Sequence, residues 1–235
     1  VNFDYSYDGI MRSYEQALQR LSLDTVDALV IHDLDPMHHQ PTEQAVHEND
    51  LITTGIRALQ ELKSAGDIKA FGMGINQKES LAVLAQRLPL DFALVAMPYT
   101  LIDQASLHDG MAKCLKNSIS VIIGAPFASG ILATGSGSNS KYGYATASDK
   151  LQTKVRQIEL ICTTHSVSLK AAALQFVLAH PAVVSTIPGA VHGDQVTENI
   201  SCLEMNIPDL FWADLKSEGL IVDDAPIPKF KVTKS

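Results

Sequence analysis

The feature that most constrains this chain is an alternation of two patterns. Short apolar runs rich in Val, Ile and Ala occupy residues 26–31, 68–73, 92–97, 119–124 and 182–187. None of them alternates cleanly between apolar and polar, which predicts strands buried on both faces. Between the runs, apolar residues return at helical spacing. The inward stripes are Met11, Tyr14, Leu18 and Leu21, then Ile52, Ile56, Leu59 and Leu62, then Leu81, Leu84 and Leu88. Leu107, Met111 and Leu115 continue the series, followed by Leu151, Val155, Ile158 and Ile161. Asp8 is placed to cap the first helix, Gly66 to end the second, and Ser168 to cap one that runs to Ala179 before His180 and Pro181. Two short helices follow, over about 194–203 and 208–217. Strand and helix alternating over nearly the whole length predict parallel βαβ units. With no linker in sight, residues 1–235 read as one domain.

In parallel α/β folds chemistry collects at the carboxyl ends of the strands. Each run here delivers unusual residues to that end. The first leads into His32 and Asp33, the second into Gly74-Ile75-Asn76, and the third into Pro98-Tyr99-Thr100. The fourth leads into residues 125–132 (APFASGIL) and the fifth into Pro188-Gly189-Ala190. The last two resemble nucleotide loops: Gly130 lets the backbone approach a ligand, Ser129 offers a hydroxyl, and a helix opening near Asp194 has free amides for a phosphate. The plainer reading, ordinary βα turns, stands beside this one, because neither of the two commonest glycine-rich phosphate loops is present.

His32 is either a satisfied polar group at a strand end or a catalytic one. A metal reading of Asp33, Asp35, His38 and His39 is disfavoured, since LDPMHHQPTEQ reads as a loop that fixes no ligand geometry; no metal is expected. The GSGSNS stretch at 135–140 reads as part of a mobile flap over the rim.

The formal net charge is -8 and no basic cluster stands out. A nucleic-acid or anionic-membrane partner therefore lacks its electrostatic footprint. No apolar run approaches the ~20 residues of a membrane span. Cys114, Cys162 and Cys202 are few, scattered and odd in number, which suits a reducing compartment and predicts a cytoplasmic protein.

Taken together, VDALVIHDLDP, IKAFGMGIN, GAPFASGIL and IPGAVHGDQVTEN resemble the fourth, fifth, seventh and eighth barrel strands of the aldo-keto reductases, with their following loops. PYTLIDQ and PFASGILATG are most similar to the branch that oxidises aldoses and pyridoxal. The resemblance implies a (β/α)8 barrel with strands four to eight present, the first three lying ahead of Val1. It implies hydride transfer between a nicotinamide cofactor and a sugar or aldehyde substrate. His32 would orient the substrate oxygen, with Asp33 and Tyr99 along the substrate and cofactor pocket. Asn76, Ala125, Pro126, Phe127, Ser129, Gly130 and Leu132 would hold the cofactor from one side. Gly189, Ala190, Gln195, Glu198 and Asn199 would hold its adenosine end. The family's catalytic aspartate, tyrosine and lysine would all precede Val1, so this chain is expected to be weakly active or inactive by itself.

NADP requires cations for its 2′-phosphate. Gly189, Ala190 and Gln195 are neutral, and Asp194 and Glu198 would meet that phosphate with no cation to offset them, which predicts NAD. The reading from a different class is a non-catalytic nucleotide-binding or scaffold protein. Unpaired strand edges on a partial barrel would invite another chain, and a homodimer is one way to cover them.

Overall fold

The computed structural model describes residues 2–137, 140–143 and 145–229. The chain opens with helix α1 (Tyr7–Leu21) and strand β1 (Ala28–Ile31). A long helical segment follows: α2 (Pro41–Asp50), a π-helical turn (Leu51–Gly55) and α3 (Ile56–Ala65). Next come β2 (Ala70–Ile75), α4 (Lys78–Arg87), β3 (Phe92–Val95), a second π-helical turn (Leu107–Met111), α5 (Ala112–Lys116) and β4 (Ser120–Ile123). A 3₁₀ turn (Ala128–Gly130) leads into α6 (Ile131–Thr134), then the short strands β5 (Lys141–Tyr142) and β6 (Ala145–Thr146). The chain continues through α7 (Asp149–His165), α8 (Leu169–Leu178), β7 (Val183–Thr186), α9 (Gly193–Glu204) and α10 (Asp209–Ser217).

β1, β2, β3, β4 and β7 form one parallel sheet in that order, each pairing with the next. The predicted βαβ architecture is therefore present; four of the strands lie within the apolar runs, and β2 overlaps its run and extends two residues past it. Burial differs from the expectation. In β3 and β4 only Ala93, Val95, Val121 and Ile123 are fully buried, packed against the helices. Phe92, Leu94, Ser120 and Ile122 on the other face are half-buried. At the sheet edges Val30 is 43% exposed and Val184 63%. The strands are thus covered on one face, because no described segment packs across the second. The apolar character of that open face hid the alternation in the sequence.

Local signals explain the helix ends. Gly66 ends α3 at φ 84°, as a C′ glycine should. At α1 the cap is Ser6, whose Oγ accepts the Gly9 amide at 3.2 Å; Asp8 sits inside the first turn, where its charge complements the helix dipole. The LDPMHHQPTEQ segment is only partly a loop. Pro41 takes the first helical position, where its missing N–H costs nothing, and α2 extends the expected helix back by ten residues.

The deepest packing lies under β3 and β4. Tyr99 stacks on Phe176 of α8 at 5.6 Å, and Phe176 reaches Trp212 of α10, which meets Phe211 edge-on at 4.9 Å. The three cysteines are buried and unpaired, and burial raises the Cys114 thiol to about 11 and Cys162 to about 12. No described helix is long and apolar enough to cross a membrane.

Candidate active site

His32 follows β1 directly, beside Gly74 of β2. A Cβ built on Gly74 would lie 2.9 Å from the His32 Cδ2, so glycine is what lets the imidazole lie across the sheet end. His32 Nδ1 is 2.6 Å from the Asp33 carboxylate. Asp33 also lies 3.3 Å from His38 Nε2, while His38 Nδ1 is 3.0 Å from the buried carboxylate of Asp35. Asp35 is held in turn by the Met37 amide at 2.8 Å. Two imidazoles and two carboxylates thus alternate along the loop after β1. The Asp33 charge beside Nδ1 holds that edge of the ring toward the loop and leaves Nε2 as the edge free to meet a substrate oxygen.

Backbone strain marks the same rim. Seven described non-glycine residues have positive φ; Ser22, Ser118 and Ser166 follow helices. The other four, Asp33, Met97, Ala128 and Ser129, follow β1, β3 and β4 at their carboxyl ends. Strain of this kind persists where surrounding structure enforces it and gathers at ligand sites. Nothing in the local sequence announces it, least of all at Met97.

Met97 joins two cavities. One, of about 460 Å³, is lined by Asn76, Lys78, Met97, Asp103 and Tyr142 among others. The second, about 340 Å³, is lined by Ala96, Met97, Ala125, Ser129 and Lys141. Ala125 and Ser129 are thus reachable, and Gly130 (φ 97°) completes the left-handed turn. Pro126, Phe127 and Leu132 point into the core, so they hold the loop in place instead of touching a ligand with their side chains. Lys141 is the cation that sequence reasoning missed. It comes from the glycine-rich segment read as a flap, whose described part is a two-stranded hairpin of β5 and β6. The hairpin is tied to the rim by Gly143 N–H donating to Ser129 Oγ (3.1 Å) and Tyr142 OH donating to Asp103 (2.9 Å). Ser138, Asn139 and Tyr144 of that segment lie outside the described residues.

The loop after β7 is open. Gly189 and Gly193 have no neighbour within 4 Å of a built Cβ, and Ala190 is exposed. Gln195 does more than the sequence suggested: its Oε1 accepts the amides of Val191 (2.6 Å) and His192 (3.2 Å), fixing the entry to α9. Asn199 is buried. Glu198 corrects the charge argument, because Lys170 Nζ of α8 lies 2.6 Å from its carboxylate. A cation does stand beside Glu198. One lysine at the cavity, a left-handed glycine turn and an uncrowded helix entry together suit a dinucleotide.

Tyr99 is a second correction. Its ring is wholly buried between Phe176 and His180, away from any substrate, and burial pushes its hydroxyl upward. The other described tyrosines are engaged elsewhere or buried. Tyr5 OH donates to the His32 carbonyl (2.8 Å), Tyr7 OH to Glu61, and Tyr142 OH to Asp103, while Tyr14 is buried.

The profile of the aldo/keto reductase family matches residues 1–218. The chain belongs to this family. Among curated aldo-keto reductase relatives, pyridoxal 4-dehydrogenase of Microbacterium luteolum is 39% identical over 220 residues, and D-threo-aldose 1-dehydrogenase of Pseudomonas sp is 30% identical over 221. Each alignment covers 93% of this chain and 64% of the relative, so the chain spans a little under two thirds of their length. The solved aldo-keto reductase AKR11C1 from Bacillus halodurans, in its holo form, superposes with a TM-score of 0.69 at 20% identity. That superposition covers 97% of this chain and 71% of the other, and it shows a shared fold.

Proposed function

We propose that these residues form strands four to eight of a (β/α)8 barrel and carry the histidine and the cofactor face of an NAD-dependent dehydrogenase. Its substrate class is an aldose, or an aldehyde such as pyridoxal. The observation that carries the reading is His32, seated across Gly74 with Nδ1 on Asp33. With the ring proton on Nδ1, Nε2 would accept a hydrogen bond from the hydroxyl that is oxidised, and the Asp33 charge would keep the ring turned. When bound, NAD supplies the hydride acceptor. Ala125, Ser129, Gly130 and Lys141 would hold its pyrophosphate, Asn76 its nicotinamide end, and Gly189, Ala190 and Glu198 its adenosine end. NAD is favoured over NADP because the Lys170 ammonium is already paired with Glu198, and a 2′-phosphate would have to displace that carboxylate.

None of the described tyrosines is placed to move the hydroxyl proton, so the reaction needs an acid–base group besides His32. A positioned group of that kind contributes ~10²–10⁴-fold. The test is NADH formation from a panel of aldoses and pyridoxal. It compares the 235-residue chain alone with the chain fused to the N-terminal segment of the Microbacterium luteolum relative. The chain alone should stay near background, the fusion should turn over, and His32→Ala should cut the fusion's rate. Robust turnover by the chain alone, indifferent to His32→Ala, would refute the assignment.

A further inference from the structure

Outside the rim, three side chains converge where α2 begins. His39 stands one residue before the cap, and Glu43 and His47 occupy successive turns of the helix. One ligand-capable atom from each lies within 4.8 Å of the other two. Glu43 is 4.0 Å from His39 Nδ1 and 3.9 Å from His47 Nε2. The His39 and His47 rings meet at 4.7 Å between centroids.

The hydrogen bonding around His39 fixes what this cluster wants. Tyr5 OH has one proton and donates it to the His32 carbonyl at 2.8 Å. Toward His39 Nε2, 3.4 Å away, its oxygen is left to accept, so Nε2 carries the ring proton. In the neutral ring Nδ1 is then a bare lone pair, on a side chain with no solvent exposure, and it has no hydrogen-bond partner. The Glu43 carboxylate, also an acceptor, lies 4.0 Å from it. Two acceptors turned toward each other, with a second imidazole alongside, call for a cation.

We infer that His39 Nδ1, Glu43 and His47 Nε2 form a binding site for a divalent transition-metal ion of the zinc class. Two neutral imidazoles and one carboxylate are a donor set that zinc accepts with an open position for water. Bond lengths of about 2.0–2.2 Å put ligand atoms on one ion roughly 3.5 Å apart. Closing separations of up to 4.8 Å to that value takes movement of both Glu43 and His47; the Glu43 side chain is 54% exposed and gives the ion its way in. Tyr5 supplies the outer contact that holds a liganding histidine in one tautomer. Through the His32 carbonyl, that contact links the site to the loop after β1. The site consists of this chain's residues alone and takes no part in the proposed dehydrogenase reading, so the two stand or fall separately.

The test uses untagged, chelator-treated protein titrated with Zn²⁺ by calorimetry, Mg²⁺ as control, and Co²⁺ for its visible spectrum. One equivalent of Zn²⁺ should bind, Mg²⁺ should not, and Co²⁺ should give the intense bands of a low-coordinate ion. Glu43→Gln and His47→Gln, both at partly accessible positions, should keep the native circular dichroism. Each should weaken Zn²⁺ by at least ~100-fold, the upper end of what loss of an outer-shell partner costs. Absence of stoichiometric binding, or binding equally tight in both folded variants, would overturn the site.

Discussion

His32 and Gly74 share one space: a methyl group on Gly74 would stand 2.9 Å from the imidazole Cδ2 and 3.4 Å from Nε2. Gly74→Ala therefore has to move the histidine. Because the His32 side chain is 62% exposed, it can swing outward with little strain. Unfolding free energy should change by less than about 1 kcal/mol, while the His32 ring resonances shift clearly in NMR spectra. In the fusion, misplacing the ring by about 1 Å should lower turnover by ~10²-fold. Unmoved resonances would mean that Gly74 does not set the histidine's position.

Glu198→Gln tests the cofactor assignment. The change removes the carboxylate paired with Lys170 at 2.6 Å and leaves the ammonium free for a phosphate. NADP affinity should improve about tenfold relative to NAD, equivalent to ~1.4 kcal/mol. Gln195 is the wrong place for an engineered cation, since replacing it strips the acceptor from two backbone amides. Calorimetric titration with both nucleotides reads the result, and unchanged NADP binding would place Lys170 outside its reach.

Tyr142→Phe should loosen the hairpin on the rim. It deletes the 2.9 Å bond to Asp103, a neutral donor on a carboxylate, worth up to about 1.5–3 kcal/mol and less where water reaches it. Limited proteolysis between residues 137 and 147 should speed up in the variant, and saturating NAD should slow it in both forms. Identical cleavage of wild type and variant would show that the tether does not restrain this segment.

His180 makes stability fall on the acid side. Burial lowers its pKa from 6.5, and the folded state keeps the ring neutral, with Nδ1 accepting the Ala182 amide at 3.1 Å. The unfolded chain binds the proton more readily, so this contribution is fully present above pH ~6.5 and is lost progressively below it. His180→Asn, which retains an acceptor, should flatten the dependence of urea midpoint on pH between ~6.5 and the lowered folded value. An unchanged slope would assign acid lability to other groups.

Much of the rim was legible because strand ends are legible. An apolar run that stops at His32-Asp33, Asn76 or APFASGIL fixes which residues reach the carboxyl edge once the strands are parallel. What faces outward at that edge was not legible. Tyr99 is next to the rim in sequence, yet its ring turns under the sheet to fill the space beside Phe176. Phe127, Leu132 and Asn199 likewise turn inward, while Ser129 stays exposed. Rotamer choice follows from which neighbours leave a void, and those neighbours come from α8 and α10, far along the chain.

The sequence by itself determined the βαβ order, the parallel sheet, the helix stops and the family, because these rest on periodicity, local caps and motifs contiguous in the chain. Tertiary structure alone decided the pairings between distant residues: Lys170 with Glu198, Tyr142 with Asp103, Tyr5 with His32 and His39. It also decided that the sheet has one covered face and that Lys141 lines the cavity beside Ala125 and Ser129. Such contacts depend on how a helix is rotated and how a loop returns. A one-dimensional pattern does not encode those quantities until the packing of the whole core sets them.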